Sequence, residues 1–260
     1  MIAIIDMDSI MFSIGNGNKV LGDDGEPIKV DGKFVYTPKT PIQLIESADF
    51  MMNKILNERG ATGYVAYIKG KNTTKVRIQN NADYKQNRPK ESPVWWNFVK
   101  EYLKINWNVV EVNNIEVDDA VNITRLFIKD SFIAAIDKDL LNLPGRHYNW
   151  REGIWTEVIT PEAAKYYFWR DMIAGQPGDN VKGIPGKGEK FAEKILVNPD
   201  TYETAVVEAY KDAFGSNWVF EFYRNYSSLK ILDENDEFVP ENPIMLKQNN
   251  VKDEIESLFK

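Results

Sequence analysis

At 260 residues, with 43% apolar and 27% charged side chains, the chain has the length for one large or two small domains around a sizeable core. It has no apolar run of about 18 residues, and the start, MIAIIDMDS, has no basic head and meets Asp6 too early for a signal peptide, so neither a membrane span nor export is expected. Cysteine is absent and His147 is the single histidine, which excludes disulfides, thiol catalysis and zinc sites of the Cys/His type. Any metal must therefore be held by oxygen, as magnesium or manganese are, and the composition fits a reducing cytoplasm.

In chain order, IAIID (2–6) reads as a short buried strand. Residues 18–36 contain GDDGEP and DGK, turn signals between extended pieces, and predict a hairpin. Residues 40–60 predict a helix with Thr40 as cap, Pro41 in the first position and Gly60 as the stop. YVAYI (64–68), NVVEV (108–112) and SFIAAI (131–136) predict further strands, with helices over 94–104 and about 117–129. Such alternation implies a mostly parallel sheet covered on both faces. A hairpin is expected over 148–158, and a long helical region opens at Thr160 and Pro161, broken at GQPGDNVKGIPGKG (175–188) and NPD (198–200). The expected division is an α/β core over 1–159, a helical region over 160–232 and a tail over 233–260.

In an open parallel sheet, ligands bind beyond the carboxyl ends of the strands. Asp6 ends the first strand, with Asp8 two residues on; Asp137 ends the fourth, followed by Asp139. Glu116, Asp118 and Asp119 follow the third, Glu116 in the entering loop and the other two in the first helical turn, where the helix dipole favours anions. Ala120, Val121, Thr124, Phe127 and Ile128 would form the buried stripe behind them. Singly, each acid reads best as a cap or a solvated loop end. Three groups converging on one edge repel one another unless cations neutralise them, and paired divalent ions serve phosphodiester cleavage.

Net charge is −7, yet residues 69–104 hold nine Lys or Arg against three Asp or Glu. That segment is thus +6 and the remainder −13, and local fields steer a polyanion. Within it Arg77, Lys85, Arg88 and Lys90 interleave with Tyr84, a pattern suited to a nucleic-acid strand or equally to a solvated loop. The glycine hairpin at Gly183, Gly186 and Gly188, with Lys187 and Lys190, would expose backbone N–H groups to phosphate; an ordinary helix–helix turn is the alternative.

Taken in order, AIIDMDSIMF, ADYKQNRPK, IEVDDAV, AIDKDLLNLPG and AGQPGDNVKGIPGKGEKFAEKIL resemble the phage 5′→3′ exonuclease and flap endonuclease family, which shares its fold with the 5′-nuclease domain of bacterial DNA polymerase I. The resemblance implies a PIN-like α/β domain with a helix–three-turn–helix element. It also implies divalent-metal hydrolysis of DNA, or of RNA in RNA–DNA hybrids, at 5′ ends and flaps during phage replication. It makes Asp6, Glu116 and Asp118 ligands of a first ion, and Asp119, Asp137, Asp139 and Asp179 holders of a second and its waters. Lys85 and Arg88 would contact the scissile phosphate. Arg77, Tyr84, Lys90 and the 183–188 hairpin with Lys187 and Lys190 would contact DNA, with a potassium ion on the hairpin carbonyls. A monomer in the host cytoplasm is expected.

Two departures from the family pattern stand out: no acid follows the second strand in IKGKNTT (68–74), and Gln176 stands where a further Asp is usual. They keep two alternatives open, a branched-DNA-binding protein that has lost efficient cleavage and an RNA-specific PIN-type ribonuclease.

Overall fold

The computed structural model describes residues 1–246 apart from 16, 89–91, 157 and 234–237. Lys90 and most of the 233–260 tail therefore lie outside the described residues. The chain opens with strand β1 (Ile2–Asp6) and passes without a turn into helix α1 (Met7–Gly15). Two small hairpins follow, built from β2 (Asn18–Lys19) with β5 (Tyr36–Thr37) and β3 (Lys29–Val30) with β4 (Lys33–Phe34). Helix α2 (Pro41–Glu58) is held at its start by a reciprocal cap: the Thr40 hydroxyl accepts from Gln43 N, and the Gln43 side chain accepts from Thr40 N.

Next come β6 (Gly63–Lys69), the short α3 (Lys75–Asn80), α4 (Trp96–Trp107), β7 (Val110–Val112), α5 (Val117–Phe127) and β8 (Ser131–Ala134). Strands β9 (Arg146–Asn149) and β10 (Ile154–Trp155) form the expected second hairpin. Helices α6 (Pro161–Ala174), α7 (Glu189–Ile195), α8 (Tyr202–Phe214) and α9 (Trp218–Leu229) follow, and β11 (Ile244–Met245) closes the described chain.

The sheet runs β10-β9-β8-β1-β6, with both β7 and β11 against β6. β1 is central and parallel to both β6 and β8, with Ile4 opposite Val65 on one side and Ile133 on the other. Period-two alternation divides the strands between two cores. Ala3, Ile5, Ala66 and Ile68 face α1, α2 and α4, whereas Ile4, Val65 and Tyr67 face α5. A third core joins α6 to α9 and reaches out to Tyr84. Because β1, β6, β7 and β8 are parallel, their carboxyl ends share one edge.

Residues 7–15, to which the sequence reading gave no element, form a helix. Two expectations shift. β8 stops at Ala134, so Asp137 lies in the loop three residues beyond it. Phe127 is exposed, although Ala120, Val121 and Thr124 of the same expected stripe are fully buried.

Candidate nuclease site at the carboxyl edge

Two D-x-D sequences at this edge fold alike. Asp8 N donates to Asp6 Oδ1 at 2.9 Å, and Asp139 N donates to Asp137 Oδ1 at 3.0 Å. Each is an Asx turn, the local closure that aspartate offers its own backbone. Asp6 is almost fully buried, Asp118 and Asp139 are half-buried, and Asp137 is exposed. Burial, then repulsion from Asp8 and Asp137, pushes the Asp6 carboxyl up to about 7. Burial, then Asp137, Asp179 and Asp171, does the same for Asp139, also to about 7. Burial, then Asp137 and Asp6, raises Asp118 well above the usual carboxylate range. These shifts show that the carboxylates from β1, α5 and the β8 loop share one field.

Glu116 caps α5 and is treated differently. Lys85 Nζ lies 2.7 Å from Glu116 Oε1 and 3.5 Å from Asp179 Oδ2. Burial alone would raise Glu116, but Lys85 and Arg77 outweigh it and hold the group below its ordinary value. The Tyr84 hydroxyl points between Glu116 Oε2 and Asp179 Oδ2, 2.9 Å from each. Arg88 pairs with Asp179 Oδ1, and its Nε donates to Gly178 O. Lys85 N donates to Asp179 O, Asn87 Nδ2 to Pro177 O and Asn180 Nδ2 to Asp83 O. Residues 83–88 are thus stitched onto the 177–180 turn, which brings the basic segment to the acids.

Comparison with known proteins follows this geometry. No family model matches. Over 177 residues, 60% of this chain and 20% of the relative, the sequence is 31% identical to DNA polymerase I of Bacillus caldotenax. It is 32% identical over 132 residues to a 5′-3′ exonuclease of Mycoplasmopsis pulmonis, covering 45% of this chain and 44% of that one. The chain therefore spans less than half the length of these curated relatives. A bacteriophage T5 flap endonuclease, solved as a pseudo-enzyme-product complex with DNA and metal ions, superposes with a TM-score of 0.58 at 12% identity, over 89% of this chain and 88% of that chain. The chain is similar in sequence to these polymerase and exonuclease relatives and shares the fold of the flap endonuclease.

Within that fold the acid edge gathers Asp6, Glu116, Asp118, Asp137, Asp139 and Asp179 with Lys85 and Arg88. Asp119 is set apart. Arg77 NH1 and NH2 hold its two oxygens at 2.8 and 2.7 Å, and Glu116 N and Leu232 N donate to them as well. It has no exposed surface, and both its oxygens are engaged by Arg77 and backbone amides. Arg77, read from the sequence as facing DNA, is buried against Asp119, Glu116 and the carbonyls of Ser228 and Lys230. Tyr84, read likewise, is buried beneath the acids. Gly183 packs against Gly175 with φ of 64°, and a Cβ there would meet Ile173 O at 2.4 Å, so it closes the turn from inside. Gly186, Lys187, Gly188 and Lys190 are exposed.

Asp8, which the sequence places two residues after Asp6, sits beside it. One further acid escapes a motif-based reading. Asp171 lies in the last turn of α6, nearly fully buried, and takes Arg170, Asn142 and Gln176 as partners. Gln176, the departure noted above, therefore donates to an acid supplied by α6. Nothing in the local sequence around Asp171 marks it; only the packing of α6 against the 139–142 turn does.

The donor set suits a hard divalent cation, because every group is a carboxylate and Asp118 makes no hydrogen bond or ion pair among the described residues. No three acids among the described residues yet form a closed metal cage. Lys85 and Arg88 instead supply the neutralising charge.

Proposed function

We propose that this chain is a divalent-metal-dependent 5′→3′ exonuclease and flap endonuclease acting on DNA 5′ ends and flaps, and on RNA strands of hybrids, in phage replication. The observation that carries this reading is the pair of carboxylates Asp6, buried, and Asp118, half-buried, both raised and neither in an ion pair among the described residues, on the same edge as a basic segment. Its support from relatives is the exonuclease and polymerase matches together with the T5 fold. Asp6, Asp118, Asp137 and Asp139 would hold two magnesium or manganese ions, with Glu116 and Asp179 joining when Lys85 and Arg88 turn to substrate. Such ions, when bound, lower the pKa of attacking water and stabilise the leaving oxygen. Lys85 and Arg88 would move from carboxylate to scissile phosphate and offset its charge in the transition state. Lys187 and Lys190 would grip duplex backbone, with potassium on the 183–188 carbonyls. The chain would work as a cytoplasmic monomer, its α/β and helical parts dividing near residue 160.

The test is a gel assay on 5′-tailed duplex. Cleavage should require magnesium, stop in EDTA, and vanish in Asp118→Asn while DNA binding persists. Full cleavage in EDTA, or by that variant, would refute the reading. The Lys85–Glu116 and Arg88–Asp179 pairs favour a second reading, branched-DNA binding without turnover; binding with no cleavage at any magnesium concentration would select it.

A further inference from the structure

We propose that a cavity between the α/β core and the helical half is a binding site for a nucleoside 5′-monophosphate, with Arg125 as its phosphate contact. The cavity holds about 290 Å³ and lies where the end of α5 and the turn at 142–144 face α6 and the end of α9. Small-molecule sites run from about 300 to 1,000 Å³, so this one suits a single nucleotide rather than a strand. It is separate from the acid edge: none of Asp6, Glu116, Asp118, Asp137, Asp139 and Asp179 lines it.

Among the described residues Arg125 is a cation without an ion pair. It sits in the last turn of α5, half-buried, and its Nε and NH2 both donate to one neutral oxygen, Asn122 Oδ1, at 3.1 and 2.7 Å. Burial holds the guanidinium below its ordinary value, with Asp233 acting against it. Asp233 is already engaged, by Lys230 Nζ at 2.6 Å and by Asn122 Nδ2 at 3.1 Å. Lys165 and Lys230 line the same cavity, so three cations face one acid there, a balance of +2. The planar fork of Arg125 keeps N–H donors for an anion with paired oxygens.

The other walls indicate what carries that anion. Phe168, Trp169, Tyr226 and Leu229 supply apolar surface, with the Phe168 and Tyr226 rings edge-on at 5.4 Å. A flat heterocycle gains by packing on such rings. Asn142, also in the lining, is a second unmet group. Its Nδ2 donates to Asp171 Oδ2 at 3.3 Å, which orients the amide because a carboxylate accepts, and its Oδ1 is left buried with no donor. An unmet buried acceptor costs free energy, so a ligand N–H is favoured there. Anion, flat ring and N–H donor together describe a nucleotide; inorganic phosphate lacks the ring, and an aliphatic acid lacks ring and donor alike. A 5′-mononucleotide is also what the exonuclease proposed above would release, but its binding here requires no cleavage.

Calorimetric titration of the full chain in EDTA, with dAMP as the probe, tests this without metal or cleavage. Wild type should bind dAMP saturably, and more tightly than deoxyadenosine or inorganic phosphate. Arg125→Gln should bind dAMP about 10- to 100-fold more weakly, whereas Lys85→Met, altered at the acid edge, should bind it as wild type does. No dAMP binding by wild type, equal affinity in Arg125→Gln, or a loss confined to Lys85→Met would overturn the proposal. Inorganic phosphate or deoxyadenosine binding as tightly as dAMP would overturn the nucleotide assignment. Melting temperatures without ligand check that each variant folds. Should Arg125→Gln fail to fold, the exposed Lys165 takes its place: Lys165→Glu should weaken dAMP binding several-fold, and unchanged affinity would overturn the proposal. Magnesium-dependent cleavage of 5′-tailed duplex then judges the nuclease reading separately.

Discussion

Replacing Arg77 with methionine tests whether the buried pair with Asp119 holds the site together. The guanidinium makes two hydrogen bonds to Asp119, lies 3.3 Å from Glu116, and donates to the carbonyls of Ser228 and Lys230. It thereby ties α3 to α5 and to the end of α9. Methionine would fill the space but leave Asp119, which has no exposed surface, without a counter-charge. Breaking one side of such a pair costs about 3–5 kcal/mol. Domains are stable by roughly 5–15 kcal/mol, so this is a large fraction of the whole. With a urea slope near 2–3 kcal/mol/M, the midpoint should fall by about 1.5 M, read from tryptophan fluorescence. The double variant Arg77→Met/Asp119→Leu should regain most of the loss, because both charges then leave the interior together. A loss below about 1 kcal/mol in the single variant, or no recovery in the double, would refute the scaffold role.

Other outcomes follow from the same geometry. Asp6 and Asp139 carry folded pKa values raised from 3.8 to about 7, so the native state binds more protons than the unfolded chain between those limits. Metal-free stability should therefore fall as pH rises from about 4 to about 7 and level off above; urea melts in EDTA check this, and a rise over that window would contradict it. Lys85→Met removes a cation that competes for Glu116, so half-maximal thermal stabilisation should need several-fold less magnesium, while cleavage is lost. A higher magnesium requirement would count against that competition. Gly183→Ala should cost more than about 2 kcal/mol because its Cβ collides with backbone, whereas Gly186→Ala, with φ of 71° and open space around it, should cost only about 1 kcal/mol. Equal melting temperatures for the two variants would show that the turn is not packed as described.

Local signals were legible where the chemistry itself is local. Thr40-Pro41 and Thr160-Pro161 cap their helices as their types require. Parallel topology sufficed to set Asp6, Glu116, Asp118 and Asp137 on one edge, because strand alternation with helices leaves them no other end. Arg77 was not legible: whether an arginine faces solvent or a carboxylate depends on Asp119, 42 positions away. Tyr84 and Asp171 failed for the same reason, being buried by contacts with the 177–180 turn and the 139–142 turn. The α1 boundary was missed because MDSIMFSIG follows β1 without a turn residue, and its buried face shows only once α2 packs on it.

The central claim is that the carboxylates of this edge hold divalent ions that the protein's own cations only stand in for. Anomalous diffraction from a manganese-soaked crystal tests it most directly. The account predicts density between Asp6, Asp118 and Asp137, with Lys85 withdrawn from Glu116. A map without a peak there, and with the Lys85–Glu116 pair intact, would contradict it.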